Sequence, residues 1–206
     1  MKRSMGVVLV LFISACFLTS CTTLKGNVPF GYQPSLVSVS KKIDKSVGFE
    51  VLEDKRPVNE IRATEKPIQD ITNKVTYKII EDFKTSVIFK EINFPAKDTD
   101  DLIIKGEINK FVWREENNWF AVIFSPLVYF GLPVGDYVGQ AEITLKVVDK
   151  KTGQVLGSVR GVGEQRLTVT LYSMSVGEIG SELAEAFRQS VKQLKEKILT
   201  EIPGLQ

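Results

Sequence analysis

Histidine is absent from the 206 residues, and the only two cysteines, Cys16 and Cys21, lie within the first 21 positions. A Ser-His-Asp or Cys-His catalytic arrangement therefore cannot be assembled. The usual zinc sites, which draw on imidazole and thiolate, are excluded for the same reason. With no thiol beyond position 21, the bulk of the chain forms no disulfide and must hold together through its core. An excess of charge is missing as well. Two of the 27 basic residues, Lys2 and Arg3, fall in the first twenty positions, which hold no acid; without that segment, 25 basic residues face 25 acidic ones. No basic block interleaved with aromatics remains, so no nucleic-acid surface is expected. What is present is ordinary for a globular protein, 43% hydrophobic and 25% charged, and no internal repeat or long low-complexity tract interrupts it.

The N-terminus has a definite order. Lys2 and Arg3 precede a charge-free apolar run over residues 6–18, followed by small residues and Cys21. This is the layout of a secretory signal, and the run is shorter than a comfortable bilayer span. Leu18-Thr19-Ser20-Cys21 resembles the lipobox of bacterial lipoproteins, in which an aliphatic and two small residues precede the acylated cysteine. Ile13-Ser14-Ala15-Cys16 fits the same pattern, but Cys21 has the longer apolar run before it and the more polar Thr22-Thr23 after it. The resemblance implies lipidation at Cys21 and removal of residues 1–20. More than one acyl chain gives a durable anchor. Thr22 stands where an Asp would favour inner-membrane retention in Gram-negative lipoproteins, so the resemblance implies the outer membrane, facing the periplasm.

Residues 21–45, with Gly26, Pro29, Gly31 and Pro34, read as the lipidated N-terminus and a tether, part of which can pack on the domain. A single domain is expected over residues 46–206. Residues 46–52 read as a short strand, closed by the charges of Glu53 to Arg56 and by Pro57, all expected in solvent. Ile71, Val75, Ile79, Phe83 and Val87 recur every four residues and predict an amphipathic helix. Residues 89–94 suggest another short strand. Leu102, Ile104, Gly106 and Ile108 alternate, then Phe111 and Trp113 continue in the other parity, which places a bulge near Asn109-Lys110. Ala141, Ile143, Leu145 and Val147 alternate up to a turn at residues 149–153, with Gly153 suited to positive φ. A returning strand runs over residues 155–169. Ile179, Leu183, Phe187, Val191, Leu194, Ile198 and Ile202 line one face of a C-terminal helix stopped by Pro203-Gly204. The order predicts an α+β fold, a two-layer sandwich with a mixed or antiparallel sheet covered on one face by two amphipathic helices.

Residues 119–135 carry no charge and hold five aromatics, among them Trp119 and Tyr129. Pro126, Gly131 and Pro133 rule out a membrane helix. Three readings stay open: a buried loop closing the sheet, an exposed apolar loop that docks a partner protein, and a loop dipping into the bilayer interface. In each reading the candidate interaction residues are Trp119, Phe120, Ile123, Phe124, Leu127, Tyr129 and Phe130.

Three carboxylate groupings, Glu53/Asp54, Glu115/Glu116 and Asp98/Asp100/Asp101, sit beside basic, amide or turn residues and read as solvated loop charges. The last of them lacks the glycine and distal glutamate of a calcium loop. Gly161 and Gly163 lie within a strand pattern, where a close backbone approach or a bulge explains them better than phosphate binding. Lys192, Lys195 and Lys197, mixed with Glu185 and Glu196, read as a solvated helix face.

The signal and lipobox, the run from Leu52 to Pro57 after a first strand, and the run from Ile143 to Gly153 before a returning strand together resemble the YajG-type bacterial lipoproteins. The layout over residues 46–200 resembles more loosely the TolB N-terminal-like module of CsgG-type and LpoB-type lipoproteins. The resemblance implies a role in the cell envelope and supplies no catalytic residue set. The expected function is a lipid-anchored, non-catalytic accessory module with an envelope protein partner and no cofactor. The alternative is a carrier of lipid or another hydrophobic ligand; an envelope hydrolase is disfavoured by the residue census.

Overall fold

The computed structural model describes residues 31–34, 42–58, 71–173 and 180–205. The signal segment, Cys16, Cys21 and Ile179 of the expected C-terminal stripe lie outside them. The fold is the expected α+β arrangement, an open mixed sheet with two long helices on one face. In chain order the elements are β1 (Ile43–Phe49), β2 (Glu53–Asp54), α1 (Ile71–Ser86), β3 (Phe89–Asn93), β4 (Leu102–Asn117), α2 (Trp119–Ile123), α3 (Ser125–Val128), β5 (Pro133–Asp149), β6 (Val155–Thr170) and α4 (Ser181–Glu201).

The strands are ordered β3-β1-β4-β5-β6, with β2 also beside β4. β1 runs parallel to both β3 and β4, and β2 continues along β4 in the same direction. The long strands β4, β5 and β6 form antiparallel ladders. The gap between β1 and β2 is bridged by α1, where the Thr76 hydroxyl accepts from the Leu52 amide at 3.0 Å. The β4–β5 register slips between Ile108 and Lys110, as the parity change required. Leu102, Ile104 and Ile108 on one side of the slip and Phe111 and Trp113 on the other are all buried. At the β5–β6 turn, the Asp149 carboxylate accepts from both the amide and the hydroxyl of Thr152 at 2.9 Å, and Gly153 takes φ 71°.

α1 and α4 bury their apolar stripes against this sheet, with Phe83 edge-on to Phe49 at 5.7 Å and Phe187 edge-on to Phe111 at 6.0 Å. The opposite face is solvated and carries cross-strand ion pairs, Lys146–Glu107 at 2.8 Å and Arg160–Glu142 at 2.7 Å. α4 also covers the outer edge of the sheet. Gln193 and Gln189 accept from the β6 amides of Val162 and Glu164, and Lys197 donates to the Arg160 carbonyl. Side chains thus occupy edge groups that would otherwise template another strand.

The structure corrects five expectations. Val87 does not extend the α1 stripe; the helix stops at Ser86, and Val87 turns out to solvent with φ 51°. A β-branched residue is strained there. Val87→Asn, which tolerates this conformation, is expected to stabilise the fold by about 1 kcal/mol in urea denaturation; a loss of stability would show that the valine makes a contact that outweighs its strain. Arg56 is buried, not solvated: its guanidinium bonds both Asp54 oxygens, at 2.9 and 2.7 Å. Asp100 is buried too, accepting from the Asn93 side chain and the Lys97 amide. Lys195 of α4 leaves its expected solvated face and meets Asp82 of α1 at 2.5 Å inside the fold. The first strand runs over Ile43–Phe49 instead of residues 46–52, and the tether segment packs on the domain in part, as allowed, through Tyr32.

Candidate interaction tip

Beyond the helix layer, β4 and β5 run on as a hairpin to the pair Asn117 and Gly135. The loop between them is two short helical turns. Asn118 starts the first: its side-chain oxygen accepts from the Phe120 amide at 3.1 Å, while its amide nitrogen donates to the Pro133 carbonyl at 3.0 Å. Asparagine suits this capping position because its short amide can mimic the missing helical turn. Pro126 sits in the first turn of α3, where its missing N–H removes no helical bond. Gly131, at φ 91°, reverses the chain so that the Leu132 amide returns to the Leu127 carbonyl at 3.1 Å. The Tyr172 hydroxyl, from the turn after β6, donates to the Tyr129 carbonyl and ties a third strand end to the loop.

This backbone holds the apolar side chains outward. Trp119, Phe120, Ile123, Phe124, Leu127 and Tyr129 are each about half exposed or more, and Phe130 is 86% exposed. Ala121 is buried. The reading of residues 119–135 as a buried cover for the sheet is therefore corrected. Among the described residues, the loop closes the β4–β5 hairpin past the start of α4 instead of lying over the sheet. The seven side chains present on the order of 700 Å² of apolar surface, since each large side chain offers roughly 150–250 Å². That exceeds the ~300–600 Å² of the largest patch on a typical monomer. Leu167, Leu171 and Tyr172 enlarge the apolar surface from β6 and its following turn. They escaped notice because isolated apolar residues in a strand carry no signal of exposure.

Behind the tip the surface becomes charged. Arg166 bonds Asp136 at 2.8 Å and Glu116 at 2.9 Å, and Arg114 bonds Glu116 at 2.7 Å. The Arg114 bond holds the Glu116 carboxyl below its ordinary range, and the hydrogen bonds from Thr168 and Arg166 do the same for Asp136. This rim stays ionised in mild acid. On the other side of the hairpin, Glu115, Asn117, Val134, Gly135, Tyr137 and Val169 line a groove of about 200 Å³. Trp113 lies tilted against Tyr137 at 5.3 Å and donates its indole N–H to the buried Glu182 at 3.0 Å, which fixes the start of α4.

The remaining carboxylates do not gather. Glu53 pairs with Lys55, Asp54 with Arg56, Asp101 with the amide and hydroxyl of Ser46, and Asp98 with Lys150. Hydrogen bonds from Lys55, Arg56 and the Ser46 amide hold Glu53, Asp54 and Asp101 below their ordinary values. A general acid at neutral pH needs the opposite shift. Among the described residues no cluster of three or more potential metal ligands occurs, and no helix is long and apolar enough to cross a membrane.

No family model matches this chain, and no curated protein matches it. Solved structures similar to it include protein XCC0632 of the DUF330 family from Xanthomonas campestris, 11% identical, with a TM-score of 0.41, over 84% of this chain and 90% of that one. The PelC dodecamer from Paraburkholderia phytofirmans is 13% identical, with a TM-score of 0.41, over 77% of this chain and 92% of that one. A minor lipoprotein from Acinetobacter baumannii is 7% identical, with a TM-score of 0.41, over 77% and 96%. Bacterial lipoproteins are thus among the similar structures, at a level of likeness that assigns no family.

Proposed function

We propose that this protein is a lipid-anchored lipoprotein of the bacterial envelope, of YajG type, acylated at Cys21 and facing the periplasm from the outer membrane. Its domain is a non-catalytic accessory module that docks a protein partner of an envelope assembly through the tip. The observation that carries this reading is the exposure of seven large apolar side chains on one uncharged loop. Their combined surface is close to the ~800 Å² that one side of a standard protein interface buries, and aromatic anchors of this kind dominate binding energies. The ion-paired rim of Arg114, Glu116, Asp136 and Arg166 supplies the polar border such interfaces have. Carriage of a lipid or other hydrophobic ligand is less well supported, because the groove beside the tip, at about 200 Å³, is below the ~300–1,000 Å³ of ligand pockets.

The test is photocrosslinking in cells with the crosslinking residue in place of Phe124. A discrete protein adduct is expected, with the partner identified by mass spectrometry. Adducts to lipid alone would replace the protein partner with the bilayer, and internal crosslinks alone would remove the tip from function. As a companion, Phe130→Asp is expected to abolish the adduct while changing stability by less than about 0.5 kcal/mol, as befits an exposed site. A larger loss would mean that the tip is part of the core.

A further inference from the structure

Residues 31–34 belong to no helix or strand, and Gly31 and Gln33 are exposed, yet Tyr32 between them is buried to 4% exposure. Its ring stands edge-on to Phe187 of α4 at 4.7 Å. Its hydroxyl donates to the Asp82 carboxylate of α1. Asp82 in turn pairs with Lys195 of α4 at 2.5 Å, and Lys195 also donates to the Ser86 hydroxyl at 2.8 Å. A residue outside the regular elements is thus held by both long helices, through an aromatic contact and through a buried ionic cluster. Burial and the neighbouring carboxylate push the phenol up from its ordinary value, so it stays a donor across the physiological range.

We propose that Tyr32 is a latch that fixes the N-terminal segment to the helix layer and so sets how far the domain can stand from the membrane. The membrane half of this statement rests on the proposed acylation of Cys21; the latch itself does not. The consequence is a matter of length. Tyr32 lies 11 positions after Cys21, and Ile43, the start of β1, lies 22 positions after it. At no more than roughly 3.6 Å per residue, the reach is at most ~40 Å with the latch closed and ~80 Å with it open. These are upper bounds that hold for any path of the intervening residues. The latch therefore halves the distance available between lipid and domain.

The test uses the full-length lipidated protein in bilayer nanodiscs. Because no thiol lies beyond Cys21, Gln33→Cys and Lys84→Cys accept a pair of spin labels selectively. Pulsed dipolar spectroscopy is expected to give one narrow distance in the otherwise wild-type chain and a broad distribution after Tyr32→Ala. A broad distribution before that substitution, or no change after it, would overturn the latch. Should Tyr32→Ala unfold, Tyr32→Phe keeps the ring and removes only the bond to Asp82; it is expected to add a longer-distance component, and a distribution identical to wild type would overturn the role of the cluster. A donor dye at Lys97→Cys with acceptor lipids reads the reach: energy transfer is expected to fall at least twofold on opening. Intact mass reports the acyl chains independently. A chain without them, still showing the narrow distance, would refute the anchor and leave the latch standing.

Discussion

Lys195→Ala is expected to destabilise the protein by about 3–5 kcal/mol, because it takes the Lys195 ammonium from the buried Asp82 carboxylate. The side chains of Lys195 and Asp82 are 4% and 1% exposed, so water cannot take the place of the ammonium group. The Tyr32 hydroxyl remains as a donor to Asp82, and a neutral donor offsets less of the desolvation of a carboxylate than an ammonium group does. The prediction has an asymmetric partner. Replacing both groups together, as in Asp82→Leu with Lys195→Met, removes both desolvation costs and is expected to recover most of the lost stability. Urea denaturation of the two variants and the wild type gives the comparison. Lys192→Ala, on the exposed side of the same helix, serves as the control and should stay within about 0.5 kcal/mol of wild type. A loss below about 1 kcal/mol for Lys195→Ala would mean that the lysine reaches solvent and that α1 and α4 are not joined by this pair.

The same pair shows where reading the sequence stops. A lysine among Lys192, Glu196 and Lys197 looks like part of a wetted surface, since charged residues are seldom buried. What reverses the expectation is Asp82, more than a hundred residues away in the chain, together with Tyr32 from a stretch that reads as a tether. Arg56 and Asp100 escaped although their partners, Asp54 and Asn93, are close in the chain. Nothing in the sequence says that Arg56 and Asp100 are buried. Side-chain type predicts exposure on average, and buried ion pairs are decided by tertiary neighbours that periodicity does not report.

Periodicity did report the scaffold. The alternation in β4 and β5, the parity change at Asn109, the hairpin at Gly153 and the stripes of α1 and α4 follow from which residues must face one core. The stripe failed only at its last step, Val87, where the chain must leave the helix at once to place Ile88 and Phe89 in the core. The tip was half legible. Its residues stood out as an uncharged run, but such a run fits a core, an interface or a bilayer surface alike. Exposure depends on whether the run lies over the sheet or past its end. That in turn depends on where α4 starts, at Ser181, and on how far β4 and β5 extend beyond it.

Gly163→Ala is expected to cost at least 3 kcal/mol or to prevent folding altogether. A Cβ at that position would lie 1.8 Å from the Ala186 carbonyl oxygen of α4 and 2.7 Å from its carbon. Backbone cannot step aside as a side chain can, so either α4 lifts or β6 bends away. Overpacking a core typically costs about 1–3 kcal/mol, and here the whole helix moves. Leu183, Phe187, Val191, Leu194 and Ile198 all bury on that face, and a gap of even half an ångström forfeits about a quarter of each dispersion contact. The neighbouring glycines make a graded series. Gly161 would meet the Ser190 carbonyl at 2.2 Å and Gly139 the backbone of Glu182 at 2.3 Å, so alanine at either is expected to be nearly as damaging. Gly157 would meet only the Ile202 side chain, at 3.0 Å and beyond, and a rotamer change there should hold the loss near 1 kcal/mol. Urea denaturation with far-ultraviolet circular dichroism ranks the four. If Gly163→Ala proved no worse than Gly157→Ala, α4 would not rest backbone to backbone on β6. The glutamine and lysine contacts that cover the sheet edge would then lose their geometric basis, because Gln189, Gln193 and Lys197 reach β6 only from a helix seated that closely.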